Sequence, residues 1–482
     1  MTEKVSFPSS RFIRLLQFVT DKIRKHSVEL SLFLCLWFIY GLAINSRNQF
    51  AFNLQQAGVE AIVERHHFYL EGSAAPRLQM KVYYYDGNKP FGDVFEHQDH
   101  QYAAKQPGQF MAGAMAYFFL HLLGLDYVRH YALTSALVSF LTTSLVTALA
   151  AIAVFATVRR LRGDGKLFWP LVCALSFGLG TTAFVYSGVA YHDALAAGYL
   201  AIAFYFALVL GQGRANQRSA KLLAASCGVL LGLTVTTSML PFFMTCIIAL
   251  YVIWLRQWKL TTFLLLGGLA GIAPLLFYNS ASFGSPLLNS YMAGGYPESM
   301  LQLNLANSIE KVRLYLSEIS LYVPVVWLGL LGLAFFPARF RREQLLILLL
   351  FVVHAFQVLN IESHGGCHYG PRFLLPIMPF IAVSLCGFGY FKTSPARALT
   401  IVVLILLGIT SIFISALGAL YTAMFCDTGK YALWPAIQSL RTSSVTDFPL
   451  AVWLALPLAA SAILLSYSIR NYRTAVTDFT PS

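Results

Sequence analysis

Residues 398–422 read ALTIVVLILLGITSIFISALGALYT, 25 residues without a single Asp, Glu, Lys or Arg, directly preceded by Arg397 and, a few residues earlier, Lys392. As an α-helix this run is long enough to cross the ~30 Å hydrocarbon core of a bilayer. Comparable apolar runs of about 17–25 residues recur from residue 30 onward, each bounded by charged or Gly/Pro-rich breaks. The 482-residue chain is 57% hydrophobic and 11% charged, too little polar surface to cover a soluble globule of this size. Helices satisfy their own backbone within lipid, and the run lengths argue against a β-barrel. The expected fold class is therefore all-α integral membrane, with about twelve transmembrane helices and a large first extracytoplasmic loop containing juxtamembrane helices.

Basic clusters punctuate the runs: Arg159-Arg160-Leu161-Arg162, then Arg214, Arg218 and Lys221, then Arg256 and Lys259, then Arg339, Arg341 and Arg342, then Lys392 and Arg397, then Arg470 and Arg473. Cytoplasmic loops carry an excess of Lys and Arg, so all of these belong inside. That placement predicts a cytoplasmic N-terminus (1–28), a first helix (29–46), a first extracytoplasmic segment (47–130) and helices two to seven (131–278). An outer loop (279–320), helices eight to twelve (321–468, with an outer loop at 426–448) and a cytoplasmic tail (469–482) complete it. The individual helices fall near 131–158, 167–187, 193–211, 220–236, 239–255, 260–278, 321–336, 344–361, 372–391, 398–422 and 449–468. Residues 109–125 are apolar but must enter and leave on the outer side, so they read as a re-entrant or juxtamembrane helix. The basic leader with Lys22, Arg24 and Lys25 reads as the flank of a retained anchor, because Ala43-Ile44-Asn45 is a poor cleavage site. Inner segments then hold 22 Lys and Arg against six Asp and Glu, and outer segments 12 against 15. The formal net charge of +13 thus reflects orientation, and nucleic acid is not invoked.

Three outer segments exceed the ~2–8 residues usual between bundle helices: 47–130, 279–320 and 426–448. The first carries His66, His67, His97, His100 and His121 among its charges. Its early part, with Phe52, Ala57, Val59, Ile62, Val63 and Phe68 at helical spacing, predicts an amphipathic interfacial helix. Farther on, Asp93, Glu96 and Asp99 precede Lys105-Gln106-Pro107-Gly108. Acids beside a lysine near the membrane plane suit group transfer, in which the carboxylate takes a proton from an acceptor while the cation neutralises a departing phosphate. His97, Asp99 and His100 also form an HxDH pattern, an unspecific metal signal. No cofactor is expected, and a divalent metal stays open. Asp193, in Tyr191-His192-Asp193, reads first as a helix N-cap, and otherwise as a wall, with His192, of an outer cavity. His364, His368, Tyr369 and Arg372 sit in a segment whose glycines allow tight turns, and Arg372 either snorkels or grips a phosphate. Cys367 and Cys426 fall in outer loops. Unpaired thiols are the favoured reading, with a disulfide as the alternative on an oxidising face.

Together these elements resemble the glycosyltransferase C superfamily, specifically bacterial members akin to protein mannosyltransferases and lipopolysaccharide-core transferases. The resemblance spans about residues 30–390. It rests on Asp93, on Lys105-Gln106-Pro107-Gly108, on His192, on Tyr278-Asn279 through Phe283-Gly284-Ser285-Pro286-Leu287, and on Gly365-Gly366 through Gly370-Pro371-Arg372-Phe373-Leu374-Leu375-Pro376. Two departures, Ala104 before the lysine and the missing Asp-Glu pair after the first helix, count against protein O-mannosylation. The resemblance implies inverting transfer of one sugar from a polyprenyl-phosphate donor to a lipid, glycan or protein acceptor at the outer face of a bacterial inner membrane. It makes Asp93 the base, with Glu96 and Asp99 as rivals. Lys105 and Arg372 become holders of the lipid phosphate, and His192, Asp193, His364, His368 and Tyr369 further substrate contacts. A transporter or flippase of lipid-linked saccharides is the rival class. It is disfavoured by the lack of an internal repeat and by predicted helix centres almost free of charge, His354 excepted.

Overall fold

The computed structural model describes residues 26–85, 89–91, 93–213, 216–255, 258–295, 305–361, 363, 367–391, 394–421, 423, 431–439 and 447–477. Among them, eight helices are long and apolar enough to cross a membrane, or nine if the bent pair Ser308–Tyr322 and Val325–Leu333 is one span. Three shorter apolar helices, Ser27–Ala43, Phe168–Gly180 and Phe242–Trp254, lie where spans were expected. The chain is an all-α integral membrane protein. Its outer helices present apolar residues to their surroundings, such as Leu399, Ile405, Ile409 and Phe413, or Val452, Leu456 and Ile463. Water would not tolerate such a continuous belt, whereas lipid favours it.

The helices used below are α1 (Ser27–Ala43), α2 (Asn53–Glu60), α3 (Gly108–Leu122), α4 (Leu145–Arg162), α5 (Phe168–Gly180), α6 (His192–Gly211), α7 (Gln217–Thr237), α8 (Phe242–Trp254), α9 (Trp258–Phe283), α10 (Ser290–Ala293), α11 (Leu305–Tyr322), α12 (Val325–Leu333), α13 (Arg341–Leu359), α14 (Ser394–Tyr421) and α15 (Ala451–Thr477). One end of the bundle gathers basic residues. Arg159 at the end of α4 pairs with Glu29 of α1 and lies over Tyr472 of α15, and Arg162 lies 4.5 Å over Tyr390. Arg342 of α13 covers Trp254 of α8 at 5.4 Å. The opposite end is knitted by polar bonds: Asn45 donates to Ala419 O at 3.0 Å, and Gln49 to Gly188 O at 2.6 Å. Between the ends, α7 and α9 approach through glycine. A Cβ on Gly228 would lie 2.0 Å from Leu264 O, and one on Gly271 2.3 Å from Val229 O, so only small residues permit this contact.

The segment after α1 folds into short helices and two antiparallel strand pairs, β1 (Tyr83–Tyr85) with β2 (Lys89–Phe91) and β3 (Val94–His97) with β4 (His100–Ala103). Three expectations need correction. Residues 51–70 are not an interfacial amphipathic helix: α2 buries its polar face too, Gln55, Gln56 and Glu60 each at 3% exposure or less, with Gln55 meeting His192, Gln56 bonded to Tyr127 and Ser135, and Glu60 to Arg65 and Ser73. The segment 279–320 is not simply a loop, since α9 continues to Phe283 and α11 runs over Leu305–Tyr322 before a 111° bend into α12. The bend falls at Pro324, which cannot continue a helical ladder. Cys367 is disulfide-bonded, while Cys35, Cys173, Cys227, Cys246 and Cys386 are free. Cys426 lies outside the described residues.

Candidate active site

At the polar end, five elements bring charged and hydrogen-bonding side chains to one place. The β3–β4 hairpin supplies the first pair. Gln98 and Asp99 both have positive φ (51° and 63°), the two-residue turn that matches strand twist. The ladder carries on past the strands through Ala104 N donating to Asp93 O at 2.8 Å. Asp93 and Lys105 are therefore held side by side at the open end of the hairpin, and Lys105 Nζ donates to Asp93 Oδ1 at 2.7 Å. The Lys105 backbone is tied down in turn, because the Ser290 hydroxyl of α10 donates to Lys105 O at 3.0 Å. Immediately after it, Gly108 meets the end of α7, where a Cβ would fall 2.6 Å from Thr237 Cα.

Lys105 is largely covered, at 12% side-chain exposure, but the Asp93 side chain is 54% exposed. The carboxylate thus faces an open space while two cations, Lys105 and Arg372, act on it. Desolvation within the site opposes its charge, yet Lys105 and then Arg372 outweigh this and hold the carboxyl below the usual Asp value. Burial likewise disfavours the Lys105 ammonium, and Asp93 more than restores it, leaving the lysine above its ordinary value. Tyr291 of α10 lies within reach of the same charges; burial pushes its phenol up, with Lys105 opposing.

Arg372 begins the segment Arg372–Tyr390. Its guanidinium stands 5.5 Å over the Tyr191 ring and 5.2 Å over that of Phe373, and its Nε is buried with no hydrogen-bond partner among the described residues. An arginine held by rings and left with open donors is prepared for an oxyanion. At the start of α6, Asp193 accepts from Tyr191 Oη at 2.9 Å and from Ser238 Oγ at 2.7 Å. It is not the N-cap: that position belongs to Tyr191, which makes no side-chain capping bond. His192 meets Gln55 Nε2 through Nδ1 at 3.4 Å, and its Nε2 lies 3.6 Å from Asp193 Oδ1.

The structure gathers Asp93, Lys105, His192, Asp193 and Arg372. Glu96 is exposed farther up β3, and Asp99 occupies the exposed hairpin turn, about 15–20 Å from Asp93 along the strands. Asp99 is thus explained by the left-handed turn, which Asp tolerates. The HxDH pattern is dispersed as well: His100 Nδ1 pairs with Glu71 Oε1 at 2.5 Å, and His97 packs its ring edge-on against Phe283 at 5.5 Å. Among the described residues no three His, Cys, Asp or Glu side chains are grouped to hold a metal ion. Tyr369 is a core residue, 1% exposed, its hydroxyl donating to Ile414 O at 2.8 Å and its backbone O accepting from Tyr186 Oη at 3.1 Å, so it is withdrawn from substrate contact. His368 pairs with Glu318 of α11 at 3.1 Å. His364, with Glu362, Gly365 and Gly366, lies outside the described residues.

Sequence reasoning missed Tyr191, Tyr291, Ser238 and Glu318. Glu318 and its neighbour Lys311 lie on an amphipathic pattern within a stretch treated as loop, which was the available signal.

No family model and no curated protein sequence matches the chain. Among solved structures, the chain is similar to ArnT from Cupriavidus metallidurans bound to undecaprenyl phosphate, at a TM-score of 0.49 and 12% identity over 92% of this chain and 76% of that one. The apo state of the same protein gives 0.47 and 13% over 96% and 78%. The archaeal oligosaccharyltransferase AglB from Archaeoglobus fulgidus, in complex with an inhibitory peptide and a dolichol-phosphate, gives 0.48 and 11% over 88% of this chain and 59% of that one.

Proposed function

We propose that this chain is a membrane glycosyltransferase that moves a sugar, with inversion, from a polyprenyl-phosphate donor to a lipid, glycan or protein acceptor at the extracytoplasmic face. The observation that carries the reading is the Asp93–Lys105 pair at 2.7 Å beside an arginine with an unpartnered Nε, at the end of the bundle away from the basic clusters. A polyprenyl chain lies in lipid, so its phosphate arrives at such an end. Arg372 and Lys105 receive that phosphate, whose charge grows as the glycosidic bond breaks; in a poorly hydrated site this compensation is worth far more than in water. Phosphate binding also draws Lys105 away from Asp93, which frees the carboxylate to take the acceptor's proton as the acceptor attacks the anomeric carbon from the opposite side. The free-state ion pair thereby keeps Asp93 ionised until a donor is bound. The disulfide at Cys367 supports an oxidising, extracytoplasmic location for this end, as expected for a bacterial inner-membrane enzyme facing the periplasm.

A flippase needs polar groups along a path through the membrane. Here Asp93, Lys105, Asp193 and Arg372 collect at one mouth, and the exceptional His354 is tied to Phe373 O at 2.8 Å. A deletion strain tests the choice: a lipid-linked sugar accumulating intact on the outer leaflet is the expected result, and accumulation on the inner leaflet would replace this reading with the flippase.

A further inference from the structure

Glutamines near the site fall into two kinds. Gln49 and Gln56 are fully used: Gln49 donates to Gly188 O and accepts from Ser139 Oγ, while Gln56 donates to Ser135 O and accepts from Tyr127 Oη at 2.5 Å. Gln106 and Gln109 are just as buried, at 1% and 0% exposure, yet both amide atoms of each lack any partner among the described residues. Gln55, 3% exposed, likewise has an unpartnered Oε1. Buried polar groups are ordinarily bonded, so five such atoms on three side chains call for an explanation.

Packing places the three along one seam. Helix α2 with the turn after it runs parallel to α3: Gly58 lies against Phe110, Val59 against Gly113, and Tyr117 donates to Glu64. One helical turn back from Val59 is Gln55 and one turn back from Gly113 is Gln109, while Gln106 stands just ahead of Pro107, the N-cap of α3. The seam ends at the site, since Gln55 reaches His192 at 3.4 Å and Gln106 directly follows Lys105.

We propose that Gln55, Gln106 and Gln109 form the subsite for the hydroxyl groups of the transferred sugar, a reading that rests on the transferase function above. An amide offers one donor group and one acceptor, the same pairing a hydroxyl presents, and it carries no charge with which to hold a phosphate. Phosphate recognition falls to Lys105 and Arg372, and sugar recognition to the neutral amides next to them. A site built to hydrogen-bond hydroxyls discriminates strongly against ligands that lack them.

The experiment uses purified full-length protein in lipid nanodiscs with Gln106→Leu, Gln109→Leu and the closer-shaped Gln109→Met. Binding is measured for undecaprenyl phosphate and for a set of undecaprenyl-phosphate hexoses and pentoses. The expected result is affinity for the bare carrier within about twofold of wild type, with affinity for the best sugar-linked carrier lowered about tenfold or more. Thermal midpoints should be unchanged or raised, because an unpartnered buried amide is exchanged for an apolar group. The subsite is overturned if sugar-linked and bare carrier are affected equally, or if all three variants lose several degrees of midpoint. Wild-type protein binding none of these lipids would remove the transferase reading itself, whereas wild-type binding that the variants reproduce in full removes only the subsite.

Discussion

The β3–β4 hairpin and the start of α6 each bring an aspartate toward Arg372, and the two are held in opposite ways. Asp193 is 2% exposed and accepts from two hydroxyls, Tyr191 and Ser238. Asp93 is half open, and among the described residues its carboxylate accepts from Lys105 alone. A saturated carboxylate is a structural anchor, whereas an open one paired with a movable cation can exchange that partner for a ligand. The same residue type thus serves architecture on one side of the site and chemistry on the other.

The sharpest way to break this contrast is through Lys105. Lys105→Met should lower kcat/KM for the donor about 100-fold, the scale expected when a group stabilising a developing oxyanion is lost. It should also shift the pH profile. In the wild type Asp93 is held below its ordinary 3.8, so the acid limb of kcat/KM lies below that value. Removing the lysine weakens the pull on the carboxyl and raises its pKa, so the limb moves to higher pH. A limb that stays put would dissociate the pair. Asp193→Ala gives the smaller catalytic change, about tenfold at most. Its main effect is on stability, about 3 kcal/mol for two hydroxyls left without a charged acceptor, read as a fall in thermal midpoint. Loss of activity at full stability would move Asp193 into the chemistry.

Much of the scaffold was legible because a bilayer imposes length and charge rules on sequence. The run at 398–422 coincides with the candidate span Arg397–Tyr421, and Arg159 and Arg162 sit at the basic end of the bundle. Asp93, Lys105 and Arg372 were legible as motif residues, but their meeting was not: it depends on the hairpin returning Lys105 alongside Asp93, and on Tyr191 seating Arg372 from another helix. The errors share a cause. The polar residues of α2 looked like a wet helix face until His192, Tyr127 and Ser135 were seen to meet Gln55 and Gln56, and Asp193 looked like a cap until Ser238 arrived from the end of α7. In each case burial by a distant element decided what a polar side chain does, and spacing along the chain carries no record of that partner. Asp99 shows the reverse: a local rule, the left-handed turn, already accounts for it.

The most direct measurement is sugar transfer from a polyprenyl-phosphate donor by reconstituted Asp93→Asn protein, with Glu96→Gln and Asp99→Asn as companions. A loss of about 1,000-fold or more is expected for Asp93→Asn at an unchanged thermal midpoint, with both companions within about twofold of wild type. Retained transfer by Asp93→Asn, or an equal loss in a hairpin-tip variant, would contradict the role of Asp93 as base.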